Sequence, residues 1–202
     1  MYSFRNDYSE GAHPKVLQAL ADTNLRQTVG YGMDPCCQAA ADTIRRLCAA
    51  PDAAVHFLVG GTQVNLVTID AFLQSYEAVV AAQTGHVSTH ETGAIEATGH
   101  KVCTVESPDG KLTPALVESV LAQHNGTEHM VLPRLVYISD TTEIGTVYTR
   151  AELAALRQCC DVHGLFLYLD GARLGSALTA PGARVVANLP YYITADVIQR
   201  LL

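Results

Sequence analysis

Gly61-Thr62, His86, Asp170 and Arg173 are the residues whose types and order can do chemistry together. Gly60-Gly61-Thr62 follows an apolar run ending at Val59 and opens a helical pattern. Its backbone N–H groups and the Thr62 hydroxyl suit a phosphate at the positive end of a helix dipole. They equally suit a plain turn in which Gly60 takes an unusual conformation and Thr62 caps the helix. Asp170 closes Leu165-Phe-Leu-Tyr-Leu169, the most apolar strand candidate, and a carboxylate delivered there needs a cation or several hydrogen bonds. A protonated ring nitrogen would serve; so would an ion pair with Arg173 or the cap of a following helix. Arg173 suits a carboxylate bound bidentately. His86 follows a strand and Gly85, where an imidazole can stack on a planar ring and move protons near neutral pH. Chemistry alone does not choose it over His90 or His100.

In this order, these residue types suit pyridoxal phosphate, with Asp170 holding the pyridine nitrogen protonated so that the ring can accept carbanion charge. The elements that must position them alternate strand and helix, which predicts an α/β fold with a mostly parallel sheet. Strands are expected at 55–59, 78–82, 101–105, 135–139 and 165–170, and helices at 63–73, 114–124 and 150–163. Asp34-Pro35 reads as an N-cap and first helical residue, with Pro51 stopping that helix, and Thr149-Arg-Ala-Glu152 reads as a capping box. Residues 83–100 follow no clear period. In an open sheet of this kind ligands bind beyond the carboxyl ends of the strands, where these residues fall. The character changes near Ala180-Pro181-Gly182; a strand over 184–187, a turn over 188–192 and a final helix from Ala195 are expected there.

Composition excludes other classes. The chain has 202 residues, 49% hydrophobic and 16% charged, with a net charge of -7 and only three lysines, Lys15, Lys101 and Lys111. That balance argues against nucleic acid, whose phosphates reward clustered cations. The first residues lack a signal-peptide pattern and no apolar run reaches a membrane span, so a cytoplasmic protein is expected. Six cysteines show no CxxC pair or zinc spacing, so they are read as core residues and no metal is expected. Cys37, Ala41, Ile44 and Cys48 share one helix face.

The stretches Phe4-Arg-Asn-Asp7, Ser9-Glu-Gly-Ala-His-Pro14, Gly30-Tyr-Gly-Met-Asp34, Gly60-Gly-Thr-Gln63, Gly85-His86, His90-Glu-Thr-Gly-Ala-Ile-Glu96, Thr142-Glu-Ile-Gly145 and Asp170-Gly-Ala-Arg-Leu-Gly175 occur in one order. Together they resemble the threonine aldolase and β-eliminating lyase family of pyridoxal-phosphate enzymes over about residues 1–179. The resemblance implies the large domain of the aspartate-aminotransferase-like fold type I, a homo-oligomer, and a site completed by a neighbouring subunit. It implies Gly61 and Thr62 for the cofactor phosphate, His86 stacked on the ring and assisting deprotonation, Asp170 on the pyridine nitrogen, and Arg173 near the substrate carboxylate. Asn6 matches a substrate contact. Glu143 stands near where many members carry a second histidine.

The chain departs from the family at its tail. The family's Schiff-base lysine would fall close to the last residues, and none is present there. Residues 183–202, with Asn188-Leu-Pro-Tyr191, are similar instead to a segment of the ribosomal RNA adenine dimethyltransferases, in which Asn188, Pro190 and Tyr191 match residues that hold the target base. No glycine-rich loop for a methyl donor precedes it. The expectation is therefore a partial large domain over 1–180 with a foreign tail over 181–202. Its function is most like low-specificity L-threonine aldolase, the retro-aldol cleavage of β-hydroxy-α-amino acids to glycine and an aldehyde, with this chain inactive for want of the lysine. A methyltransferase fragment and a non-catalytic remnant that binds phosphate or pyridoxal are the alternatives.

Overall fold

A computed structural model describes residues 11–124 and 126–177. The chain divides into two compact units, Met1–Gln38 and Ala39–Leu202. In the first, helix α1 (Pro14–Thr23) starts at His13, whose Nδ1 accepts from the Lys15 N–H at 3.2 Å, with Pro14 at the first helical position. Proline suits that place because its missing N–H would have no helical partner there. Asp34 then opens helix α2 (Pro35–Leu47) as expected: its Oδ1 accepts from the N–H groups of Cys36 and Cys37 at 2.9 and 3.0 Å. The helix ends at Leu47, before Pro51.

The second unit carries the sheet. Helix α3 (Gly61–Phe72) leads to strand β1 (Glu77–Ala82), then short helices α4 (His86–Thr89) and α5 (Ala94–Ala97), strand β2 (Val102–Val105), helix α6 (Pro114–Gln123), strand β3 (Leu132–Ser139), helix α7 (Arg150–His163), strand β4 (Phe166–Asp170) and helix α8 (Leu174–Ala177). The four strands are parallel in the order β2-β1-β3-β4. All six residues of β1 are buried, as a central parallel strand covered on both faces requires. Its alternate residues serve different cores. Ala78, Val80 and Ala82 pack with Val117, Val120, Leu153 and Leu156 of α6 and α7. Val79 and Ala81 pack with Ile69 of α3, Val87 of α4 and Ile95 of α5. The two-residue side-chain period of a strand thus places α6 and α7 on one face and α3, α4 and α5 on the other.

The switch of direction falls at β1, which has β2 on one side and β3 on the other. A crevice for ligand opens at such a point, beyond the carboxyl ends of the strands. Local signals fixed α7 at both ends. Thr149 Oγ1 accepts from Glu152 N–H at 3.3 Å while Glu152 Oε2 accepts from Thr149 N–H at 2.7 Å, and Gly164 at φ +65° ends the helix in the left-handed region that glycine tolerates.

One expected strand is absent. Among the described residues, 55–59 pair with no strand, and Phe57, Leu58 and Val59 are exposed, Val59 at 96%. A short apolar run reveals hydrophobicity but not whether a neighbouring backbone is present to complete the ladder. Residues 83–100 resolve into α4 and α5, each a single turn, too short to show a period. The expectations for 178–202 lie outside the described residues. Among the described residues no helix is long and apolar enough to cross a membrane.

Candidate functional site

Four segments converge beyond the carboxyl ends of β1, β3 and β4. After β1, Gly85 makes the turn into α4; a Cβ there would sit 3.0 Å from the Ala82 carbonyl oxygen, so the close passage suits glycine. His86 follows at once, with its side chain 35% exposed. Its Nδ1 lies 2.8 Å from Glu91 Oε1, and since a carboxylate accepts, Nδ1–H donates. Glu91 itself is fully enclosed.

The same Oε1 accepts from the side-chain amide of Asn65 at 2.6 Å, and that amide also reaches Asp170 Oδ2 at 3.3 Å. Tyr168 O–H holds the other end of the amide, donating to Asn65 Oδ1 at 2.6 Å. Asp170 further accepts from Tyr137 O–H at 2.6 Å and, through Oδ1, from Ala172 N–H at 3.0 Å. A continuous network therefore runs from His86 through Glu91 and Asn65 to Asp170. Burial, and then the negative charge of Asp170, push Tyr137 well above the ordinary phenol range and keep it a neutral donor.

Arg173 begins the turn into α8. Its Nη2 donates to Glu143 Oε1 at 2.9 Å, and Ser139 Oγ donates to the same oxygen at 3.0 Å. The ion pair that the sequence allowed between Asp170 and Arg173 is thus replaced by one between Glu143 and Arg173. The capping option is realised in part, because Asp170 does hold the Ala172 N–H, but two other segments, through Asn65 and Tyr137, converge on the same carboxylate.

Gly61 and Thr62 lie exposed in the first turn of α3, with Gly60 extended before them and no side-chain cap on the helix. A Cβ at Gly61 would meet nothing within 4 Å. The Thr62 hydroxyl makes no hydrogen bond to a described residue, so the capping role expected as its alternative is not taken up. Asn65 sits one turn further along the same helix, which links this open N-terminus to Asp170. Of the expected residues, His86, Asp170, Glu143 and Arg173 thus gather at the strand ends, Gly61 and Thr62 stand on the helix that joins them, and Asn6 lies outside the described residues.

Sequence reasoning passed over Asn65, Tyr137 and Tyr168 and took Glu91 only as part of a motif. A signal for Asn65 was present: it falls in register with Ile69 and Phe72 on α3, so a polar side chain occupies a core-facing position. Among the described residues two buried polar atoms lack a partner, Glu91 Oε2 and Thr84 Oγ1. Glu91 therefore retains capacity for one more donor inside the network.

Residues 4–197 match the family described as β-eliminating lyase. The low-specificity L-threonine aldolase of Pseudomonas sp. (strain NCIMB 10558) is 36% identical over 197 residues, 96% of this chain and 56% of that protein. The solved structure of threonine aldolase from Leishmania major superposes with a TM-score of 0.89 at 54% identity, covering 100% of this chain and 56% of that one. The aspartate aminotransferase from Rhizobium meliloti superposes at 0.59 with 16% identity, covering 89% of this chain and 48% of that one, and shows the shared fold alone. The chain spans about 56% of the length of the threonine aldolases from Pseudomonas and Leishmania.

Proposed function

The chain belongs to the β-eliminating lyase family, and from that premise we propose that it forms the cofactor-binding part of a pyridoxal 5'-phosphate lyase, most like low-specificity L-threonine aldolase. The observation that carries this reading is the network that ties His86 to Asp170 through Glu91 and Asn65.

The residues fit the group. Asp170 is held in place by Tyr137, Asn65 and Ala172 and serves as the acceptor for a pyridine N–H. Gly61 and Thr62 offer free N–H groups and an unused hydroxyl to the phosphate at an open helix N-terminus. His86, partly exposed and oriented by Glu91, would stack on the ring. When bound, pyridoxal phosphate supplies a sink for the charge left on Cα as the Cα–Cβ bond breaks.

The chain's own residues account for the rest. Donation from Nδ1 to Glu91 leaves Nε2 of His86 as the nitrogen that takes the proton of a substrate hydroxyl. Arg173 holds the substrate carboxylate, exchanging Glu143 for it, and Glu143 completes the substrate contacts of this unit. Loss of the hydroxyl proton and cleavage of the adjacent carbon bond give the aldehyde, and return of a proton to Cα gives glycine.

Within the unit that carries the site, neither Lys101 nor Lys111 is positioned to join the cofactor. Lys101 precedes β2 at the opposite end of the sheet. Lys111 donates to Glu152 at 2.5 Å, and that bond holds its ammonium above the ordinary range, where it is no nucleophile. The 202 residues therefore bind pyridoxal phosphate without appreciable lyase turnover. Adding the cofactor and then borohydride tests this: reversible binding with no pyridoxyl-lysine adduct is expected, and an adduct on Lys15, Lys101 or Lys111 overturns it.

A homo-oligomer is proposed because Phe57, Leu58 and Val59 stand exposed immediately before the phosphate residues; light scattering on the purified protein tests it. Six free cysteines support a reducing, cytoplasmic location. The division into 1–180 and a foreign 181–202 is kept as a proposal beside a family match that runs to residue 197, and resequencing the gene beyond codon 180 tests it. The methyltransferase alternative has no described residue to rest on.

A further inference from the structure

We propose that Glu118, Cys159 and His163 form a binding site for a zinc-class divalent cation, joining α6 to α7 on the sheet face opposite Asn65, Tyr137 and Tyr168. Cys159 and His163 are four residues apart on α7, which puts both on one side of the helix. Glu118 faces them from α6. One donor atom from each, a carboxylate oxygen, a sulfur and an imidazole nitrogen, lies within 4.8 Å of the other two.

His163 Nε2 and Glu118 Oε1 are 3.6 Å apart, too long for a good hydrogen bond. That spacing is close to the roughly 3.3–3.8 Å between ligand atoms around a tetrahedral zinc whose bonds are about 2.0–2.3 Å. Neither these two side chains nor Cys159 makes a hydrogen bond to any described residue. The three are therefore not committed to another structural role, and they need only small rotamer changes to close on one ion.

The donor set selects the cation. Thiolate with imidazole and one carboxylate suits zinc, whereas magnesium and calcium take oxygen ligands. Glu118 and His163 are exposed and give the ion access, while Cys159 is buried beneath them. The fourth position remains for water. Binding replaces the thiol proton of Cys159 with the cation and releases that proton to solvent, with no change in oxidation state. Because the ligands come from two helices, the site has no local sequence pattern, which is why cysteine spacing alone predicted no metal.

The test uses the full chain, tag-free, reduced and stripped of metal. Addition of cobalt(II) is expected to produce the near-ultraviolet thiolate-to-cobalt charge-transfer band, with zinc displacing it at one equivalent and raising the melting temperature. The exposed-site variants His163→Gln and Glu118→Gln should keep the fold and weaken cobalt and zinc binding by about tenfold or more, and Cys159→Ser should abolish the band. Absence of the band in the parent protein overturns the proposal. So does binding that both exposed-site variants leave unchanged, and these two decide the matter even if Cys159→Ser fails to fold.

Discussion

The side chain of Asn65, on the second turn of α3, hydrogen-bonds Asp170 at the end of β4 across a separation of 105 residues, at 3.3 Å. The same amide holds Glu91 at 2.6 Å. One buried neutral group thus donates to two carboxylates and sets the distance between the histidine side of the site and the aspartate side.

Replacing Asn65 by alanine should be costly. Fully buried Glu91 and half-buried Asp170 each lose a donor, a change expected to cost about 2–4 kcal/mol. Tyr168→Phe removes the bond that orients the amide and should cost about 1 kcal/mol. Urea unfolding of the two variants measures this; equal losses would mean that the amide is not the centre of the network.

Asp170→Ala should lower pyridoxal phosphate affinity about 10- to 100-fold, the worth of a hydrogen bond to a charged group. Lys101→Ala, at the far end of the sheet, should leave affinity unchanged. Titration followed by cofactor absorbance reads both, and undiminished binding in Asp170→Ala would remove the proposed role.

Stability should fall between about pH 4 and pH 6 through Asp140. Burial pushes this carboxyl up to about 6, against the opposing pull of the Tyr148 N–H and Lys111. An unfolded aspartate titrates near 4, so across that window the native state binds the extra proton. The contribution is fully present below about pH 4 and is lost as pH rises through 6. Asp140→Asn should flatten this part of the profile and become the more stable protein above pH 6. Thermal melts of both proteins at several pH values check the sign, and parallel profiles would show that Asp140 does not drive the change.

Thr149→Ala should destabilise α7 by about 1 kcal/mol, within the roughly 0.5–2 kcal/mol range for lost caps. The hydroxyl satisfies the Glu152 N–H, and Glu152 returns the bond while also pairing with Lys111. Glu152→Ala removes both partners and should cost more. Chemical denaturation compares them.

The elements were legible where their determinants are local. The capping box at Thr149, the N-cap at Asp34 and the alternation of apolar strands with helices depend on residues within a few positions of one another, and α7 follows its expected bounds of 150–163. The order of Gly61-Thr62, His86, Asp170 and Arg173 likewise carried the proposed chemistry, and the structure gathers His86, Asp170 and Arg173 at the strand ends. The 55–59 run failed for the opposite reason: pairing requires a neighbour that no local pattern reveals.

Sequence by itself determined the α/β order, the helix ends and which residue types are available for the proposed chemistry, because those are properties of single residues and short spacings. Only the tertiary structure decided that Arg173 pairs with Glu143, that Asn65 joins Glu91 to Asp170, and that Tyr137 remains a neutral donor. A buried polar group must find its partner wherever the fold brings one within about 3 Å, and those partners came from segments far apart in the chain.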